Sequence, residues 1–287
     1  MSKTLVTIDN ILPIATGIQG TPKRLPYMAY EDQQQITRLC VRCGLLLMQY
    51  GAESSTVVDL CKRLGFALGV ASVECSLAFN GITVTTIYNN RCITTLRSST
   101  TNAINVGIII QIQQLILELE RLPMTSTLEH ATERFDALDR HTYPIWLTAP
   151  MAGMACACFA YLAGGDIPLA LVTFVAATVT ALVRHWLTRS FFNPFVTALA
   201  AAFCGSVLSG MGWWLHIGND PHIAIASSVV LLIPSFPLIN SLSDMLKGYM
   251  NMGMGRFMFV VILTLMTCIG IVLALLLLGV KYWGFSG

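Results

Sequence analysis

Leu232-Ile233-Pro234-Ser235-Phe236-Pro237-Leu238-Ile239-Asn240-Ser241-Leu242-Ser243-Asp244 sets two prolines inside an otherwise apolar stretch. Each proline removes a backbone donor and clashes with the carbonyl four residues before it. In a bilayer the orphaned groups are satisfied only where protein or a water-filled cavity surrounds them. The apolar run before the break, residues 222–233, has 12 residues. At helical rise it covers roughly 18 Å of a hydrocarbon core about 30 Å thick. The span must continue past the prolines as a broken helix, the type of element with which transporters surround their substrates.

The rest of the 287-residue chain supports a membrane setting. It is 55% hydrophobic and 11% charged, with a mean hydropathy of +0.67, against about 25% charge in a soluble domain. Residues 1–143 hold 12 of the 17 Lys+Arg and 12 of the 15 Asp+Glu, so a soluble module precedes a membrane module. The net charge of +2 is spread among acids and offers no patch for nucleic acid. Asp9 and Pro13 interrupt the only early apolar stretch, so no signal peptide is expected, and residues 1–30 read as a disordered tail.

Five apolar segments follow Tyr143, at about 144–163, 167–187, 191–215, 222–240 and 257–280. Loop charges orient them. Arg184 and Arg189 flank the second connection, and Lys247 and Arg256 the fourth. The first and third carry Asp166 and Asp220 without Lys or Arg. The amino-terminal domain is therefore expected in the cytoplasm. The carboxyl terminus, with Lys281, Tyr282 and Trp283, is expected outside. Small residues at four-residue intervals (Gly153 and Ala157; Ala201, Gly205 and Ser209) allow close helix contact, either within the chain or with a second one.

The soluble half, residues 31–143, reads as a small α+β domain. Ile36, Leu39, Cys40, Cys43, Leu46 and Leu47 have helical spacing across 31–50. Gly51-Ala52-Glu53-Ser54-Ser55 interrupts this helix, and Thr56 with Asp59 has capping-box spacing for the next. From Ser72 to Ser98 the period becomes two. Asn80-Gly81 and Asn89-Asn90 supply hairpin turns, which predicts a three-stranded meander. Two more helices are expected at about 102–122, stopped by Pro123, and 127–141, opened by Ser126 and Glu129.

Catalytic signatures are sparse. Ser54 and Ser55 beside Glu53 invite a hydrolase reading, but no Gly-x-Ser-x-Gly elbow occurs and the domain has no His before His130. Capping and turn formation account for these residues instead. No phosphate-binding Gly-x-x-x-x-Gly-Lys-Ser/Thr occurs either. Of nine cysteines, Cys40 and Cys43 form one CxxC that no second pair completes, so reduced core thiols are expected, with no metal and no cofactor.

Gln49-Tyr50-Gly51-Ala52-Glu53-Ser54, the segment Leu232–Asn240, Asp244 and Gly248 together resemble the threonine/serine exporter family, over about residues 33–283. The resemblance implies a cytoplasmic α+β domain followed by five spans, in a bacterial inner membrane, with a second integral membrane unit fused or supplied separately. Here it is absent from the chain, so a separate membrane subunit is implied. The substrate implied is a small carboxylate, succinate or an amino acid, and no enzymatic activity. Ser235 departs from the glycine usual in the family.

On this reading Pro234, Ser235, Phe236, Pro237, Asn240 and Ser243 are the expected substrate contacts. A half-helix restarting at Pro237 would offer N–H groups to a carboxylate. Asp244 is the expected coupling residue, because ionisable groups beside a membrane pathway are usually functional. The alternative for Asp244 is an exposed carboxylate near Lys247. Arg184 and His185 would mark the cytoplasmic mouth. Two competing readings are a threonine/serine-type exporter acting alone or as a homodimer, and a membrane-anchored sensor or enzyme.

Overall fold

The computed structural model describes residues 28–98, 104–121, 127–138, 143–215 and 217–279. The Ser126 cap, the Pro123 stop, most of the expected tail and the Lys281-Tyr282-Trp283 terminus lie outside them. The chain forms two compact units. One comprises residues up to Ala52, Thr56–Ser76 and Asn80–Leu138. The other comprises the membrane half from Asp139 together with two short segments, Glu53–Ser55 and Leu77–Phe79.

In the first unit, helix α1 (Tyr30–Gln49) packs on strands β2 (Gly81–Tyr88) and β3 (Arg91–Ser98). With β1 (Ser72–Ala78) these form a sheet of order β1-β2-β3. Every apolar residue assigned to the inner face of α1 is buried, and so are Val57, Leu60, Cys61 and Leu64 of α2 (Ser54–Ala67) and Leu68 just after it. Two buried polar residues of α1 bind the sheet. Gln33 Nε2 donates to Thr86 O at 3.2 Å, and the Thr37 and Thr86 hydroxyls lie 2.6 Å apart. Helices α3 (Val106–Arg121) and α4 (Thr127–Asp136) complete the unit, both shorter than the sequence reading.

The β2–β3 hairpin turns at Asn89-Asn90, with both residues at positive φ (44° and 59°), as a primed two-residue turn demands. The first hairpin differs from its expectation. Its turn falls on Phe79-Asn80, and Gly81 already belongs to β2. Gly81 serves close approach, since a Cβ there would lie 2.9 Å from Arg97 O. The Phe79 ring instead packs on Phe259 and over Gly255.

The cysteines are free thiols. Cys61 Sγ donates to Cys40 O at 3.5 Å. Burial pushes the Cys40 thiol upward, and hydrogen bonding with Cys43, first of several causes, raises Cys61. Such thiols stay protonated and unreactive. Among the described residues no His, Cys, Asp or Glu group is arranged to hold a metal.

In the second unit four helices are long and apolar enough to cross a membrane: α5 (Ile145–Leu162), α6 (Ile167–Arg189), α7 (Pro194–Trp214) and α10 (Met250–Leu278). A fifth is added if the bent pair α8 (Pro221–Val229) and α9 (Ser235–Leu246) makes one span. The two acids of the Lys/Arg-free connections are helix caps. Asp166 accepts the Leu169 N–H, and Asp220 the His222 N–H. Asn219 ties these connections together, accepting from Asp166 N and donating to Gly164 O.

Small residues are used for packing inside the chain. A Cβ on Gly153 would meet Phe174 O at 2.7 Å, and one on Gly205 would meet Thr180 Oγ1 at 2.1 Å. One on Gly270 would lie 2.5 Å from Leu199 O. Helix α6 thus seats against α5 and α7, and α10 against α7, at distances only glycine permits.

Candidate functional site

The break in the fourth apolar segment follows from proline geometry. Pro234 forces Ile233 out of the helical region (φ −71°, ψ 120°), and the chain bends by 56° between Leu232 and Ser235. Pro234 then caps α9, while Pro237 falls in its first turn, where a missing N–H costs nothing. The helix therefore restarts at Ser235, two residues before the expected restart at Pro237. This changes the donor inventory. Ser235 N–H goes to Ile233 O and Leu238 N–H to Pro234 O, and Pro237 has no N–H, so the first turn keeps at most the Phe236 N–H for a ligand. Ser235 and Phe236 are exposed, and Pro234, Pro237 and Asn240 half-buried.

Helix α9 runs to Leu246, beyond the expected end near 240, and the sequence that ends it builds a tighter structure than a loop. Tyr249 N–H returns to Asp244 O at 2.8 Å and Gly248 N–H to Met245 O at 3.1 Å, with Gly248 at φ +88°. This left-handed cap requires glycine. Only Lys247, Gly248 and Tyr249 separate α9 from α10, and Gly253 of α10 lies against Ser241 O, where a Cβ would come within 2.9 Å.

The reversal carries Arg256 back to α9. The sequence reading set Arg256 in a cytoplasmic connection, but the connection ends at Tyr249. Arg256 lies inside α10 with its side chain 8% exposed. Its Nη1 donates to Asp244 Oδ2 at 2.7 Å. Asp244 is fully buried, so the alternative of an exposed carboxylate near Lys247 does not hold. Its second oxygen, Oδ1, accepts the backbone N–H of Ser54 at 2.8 Å.

Ser54 opens α2, two residues before the Thr56 start that the capping-box spacing suggested. The first N–H groups of a helix lack intrahelical acceptors. Here the acceptor is a carboxylate 190 residues away, which no local pattern encodes. Beside it, Glu53 accepts from Lys247 Nζ at 2.6 Å and from the Ser243 hydroxyl. Lys247 also reaches Ser55 Oγ at 3.4 Å. The hydrogen bond from Lys247, then that from Ser243, holds the Glu53 carboxyl below its ordinary range.

Two stretches thus converge: Glu53-Ser54-Ser55, and the end of α9 with Ser243 and Asp244 followed by Lys247. Glu53, Ser54 and Arg256 were not singled out as site residues in the sequence. The one signal for Arg256 was its adjacency to a 24-residue uncharged run. Arg184 and His185 sit in the C-terminal half of α6, and among the described residues no hydrogen bond or ion pair links their side chains to α9.

Residues 38–278 match the family described as "Putative threonine/serine exporter". The chain is 39% identical to "Probable succinate transporter subunit YjjP" of Escherichia coli K12, over 89% of its own length and 100% of that protein's. It is equally identical to the protein of that name in Klebsiella aerogenes, over 88% and 97%. A "Probable threonine/serine exporter" of Mycobacterium tuberculosis is 26% identical over 84% of this chain, a match covering 46% of the mycobacterial protein. No solved structure matches.

Proposed function

Because the chain belongs to the threonine/serine exporter family, we propose that it is one subunit of a two-component secondary exporter. It moves small carboxylates, succinate foremost, out across the bacterial inner membrane. The observation that carries this reading is the broken helix pair α8–α9 ending in a buried carboxylate–guanidinium pair, Asp244–Arg256. A mere anchor has no need of either feature. Ion pairs at membrane depth are costly and mark pathways, and broken helices surround substrates. The names of the Escherichia and Klebsiella relatives, succinate transporter subunits, support both the substrate and the need for a partner. So does the mycobacterial relative, more than half of which lies outside the match.

In this proposal α8–α9 is one span, giving five. The amino-terminal unit is cytoplasmic and the carboxyl terminus periplasmic. Pro234, Ser235, Phe236, Pro237, Asn240 and Ser243 contact the substrate, and Asp244 carries the coupling charge. Arg184 and His185 line the cytoplasmic mouth. The Pro-Ser-Phe-Pro turn, with Ser235 and Phe236 exposed, is one wall of the site. The second integral membrane subunit, of the YjjB type that the resemblance implies, provides the other.

A second reading, export of threonine or serine by the chain alone or as a homodimer, is favoured by the family's description. Liposomes loaded with succinate or threonine separate the two. Succinate efflux should require this chain and the partner together. Efflux of either solute from liposomes holding this chain alone refutes the two-component reading.

A further inference from the structure

The buried Asp244 carboxylate has a further donor beside the two that it uses. Arg256 Nη1 serves one oxygen at 2.7 Å and the Ser54 N–H the other at 2.8 Å. The Ser54 hydroxyl is also completely buried, yet has no hydrogen-bond partner. A buried hydroxyl without a partner carries a desolvation penalty with no compensation, and natural interiors rarely tolerate one unless something else uses it. The charged groups near this carboxylate are Arg256 from α10, Lys247 from the reversal after α9 and Glu53 from the turn before α2, and Glu53 is already engaged by Lys247 and Ser243. What remains is a guanidinium, a helix-opening N–H and a free hydroxyl, a donor set that fits a carboxylate.

Resting on the export reading above, we infer that Arg256 and Ser54 form the substrate's carboxylate-binding site, and that Asp244 is its resident occupant in the absence of substrate. A substrate carboxylate bears the group that Asp244 presents, so exchange never leaves Arg256 without a counter-ion in a low-dielectric setting. It also recruits the hydroxyl that Asp244 leaves idle. On release of the substrate, Asp244 re-pairs with Arg256.

The test is direct binding of succinate and of threonine to the full chain in nanodiscs, with the unfolding temperature measured for each variant. Asp244→Asn removes the internal competitor and should bind one of the two ligands about 10-fold more tightly than the unaltered chain. Ser54→Ala, made in the Asp244→Asn background, should weaken that binding about 10-fold, the loss of one hydrogen bond to a charged group. Its unfolding temperature should stay level or rise, since the hydroxyl has no partner to lose. Arg256→Lys in the same background should weaken binding at least as much. An Asp244→Asn chain that binds no more tightly than the original, or affinities indifferent to Ser54→Ala, would overturn the inference. The exporter reading fails separately: absent flux with these affinity changes intact removes that reading alone, and normal flux with unchanged affinities removes this inference alone.

Discussion

Breaking the Asp244–Arg256 pair from one side should cost far more than removing it from both. The two side chains are 0% and 8% exposed, and their closest atoms are 2.7 Å apart. With charge centres about 4 Å apart and an effective dielectric near 20, their attraction is about 4 kcal/mol. Arg256→Met leaves a buried carboxylate with only the Ser54 N–H, and Asp244→Asn leaves a buried guanidinium without its counter-ion. Each single substitution is expected to cost about 3–5 kcal/mol. The double variant keeps an amide oxygen for the Ser54 N–H and buries no unpaired charge, so its cost should be near 1–2 kcal/mol. The coupling energy in a double-mutant cycle is then at least about 3 kcal/mol. Denaturant unfolding of the detergent-solubilised chain, followed by tryptophan fluorescence, measures it. Single costs below about 1 kcal/mol that simply add are the behaviour of a solvated surface pair, and would refute the assignment of a buried site here.

Three further outcomes follow from other contacts. Gly270→Ala puts a methyl group 2.5 Å from Leu199 O and 3.0 Å from Ala202 Cβ, so α10 must move off α7. A loss of about 1–3 kcal/mol is expected in thermal unfolding. Glu53→Gln should cost about 0.2–1 kcal/mol at neutral pH, given the half-exposed Lys247. The folded-state pKa of Glu53 is lowered. Its contribution is therefore complete above the ordinary glutamate pKa of about 4.3 and disappears as pH falls through the lowered value. Stability curves of the two proteins should converge on acidification, and a gap that widens there would contradict the pairing. Asn240→Ala, on the half-buried face of α9, should abolish succinate efflux from liposomes holding both subunits while membrane insertion is unchanged. Unaltered efflux removes Asn240 from the pathway.

The elements readable in the sequence are those written in local patterns. The inner face of α1, from Ile36 to Leu47, follows helical spacing, and Asn89-Asn90 signals its turn through residues that tolerate positive φ. The proline break was legible because its cost is a property of the residue. Its consequence was not, since Pro237 marks the first turn of α9 rather than its start. The start of α2 depends on Asp244, the first hairpin turn on Phe259, and the burial of Arg256 on the reversal at Gly248. Each of these is set by a partner distant in sequence, or by a turn that brings two helices together, so spacing alone assigned Ser54 to a loop and Arg256 to a connection.

The three-residue reversal at Lys247, Gly248 and Tyr249 has a mechanical corollary. Helices α9 and α10 are clamped by the Gly253 contact and by the ion pair, so they form a stiff bent arm. Its long limb has 29 residues. At 1.5 Å per residue this is about 43 Å, and a tilt of about 10° at the reversal sweeps its tip through about 7 Å. Gly270 is seated on the α7 backbone partway along that limb, so α7 is dragged with it. A small rearrangement around the Asp244 carboxylate at the reversal would thereby be geared into a displacement of molecular size at the far end of α10.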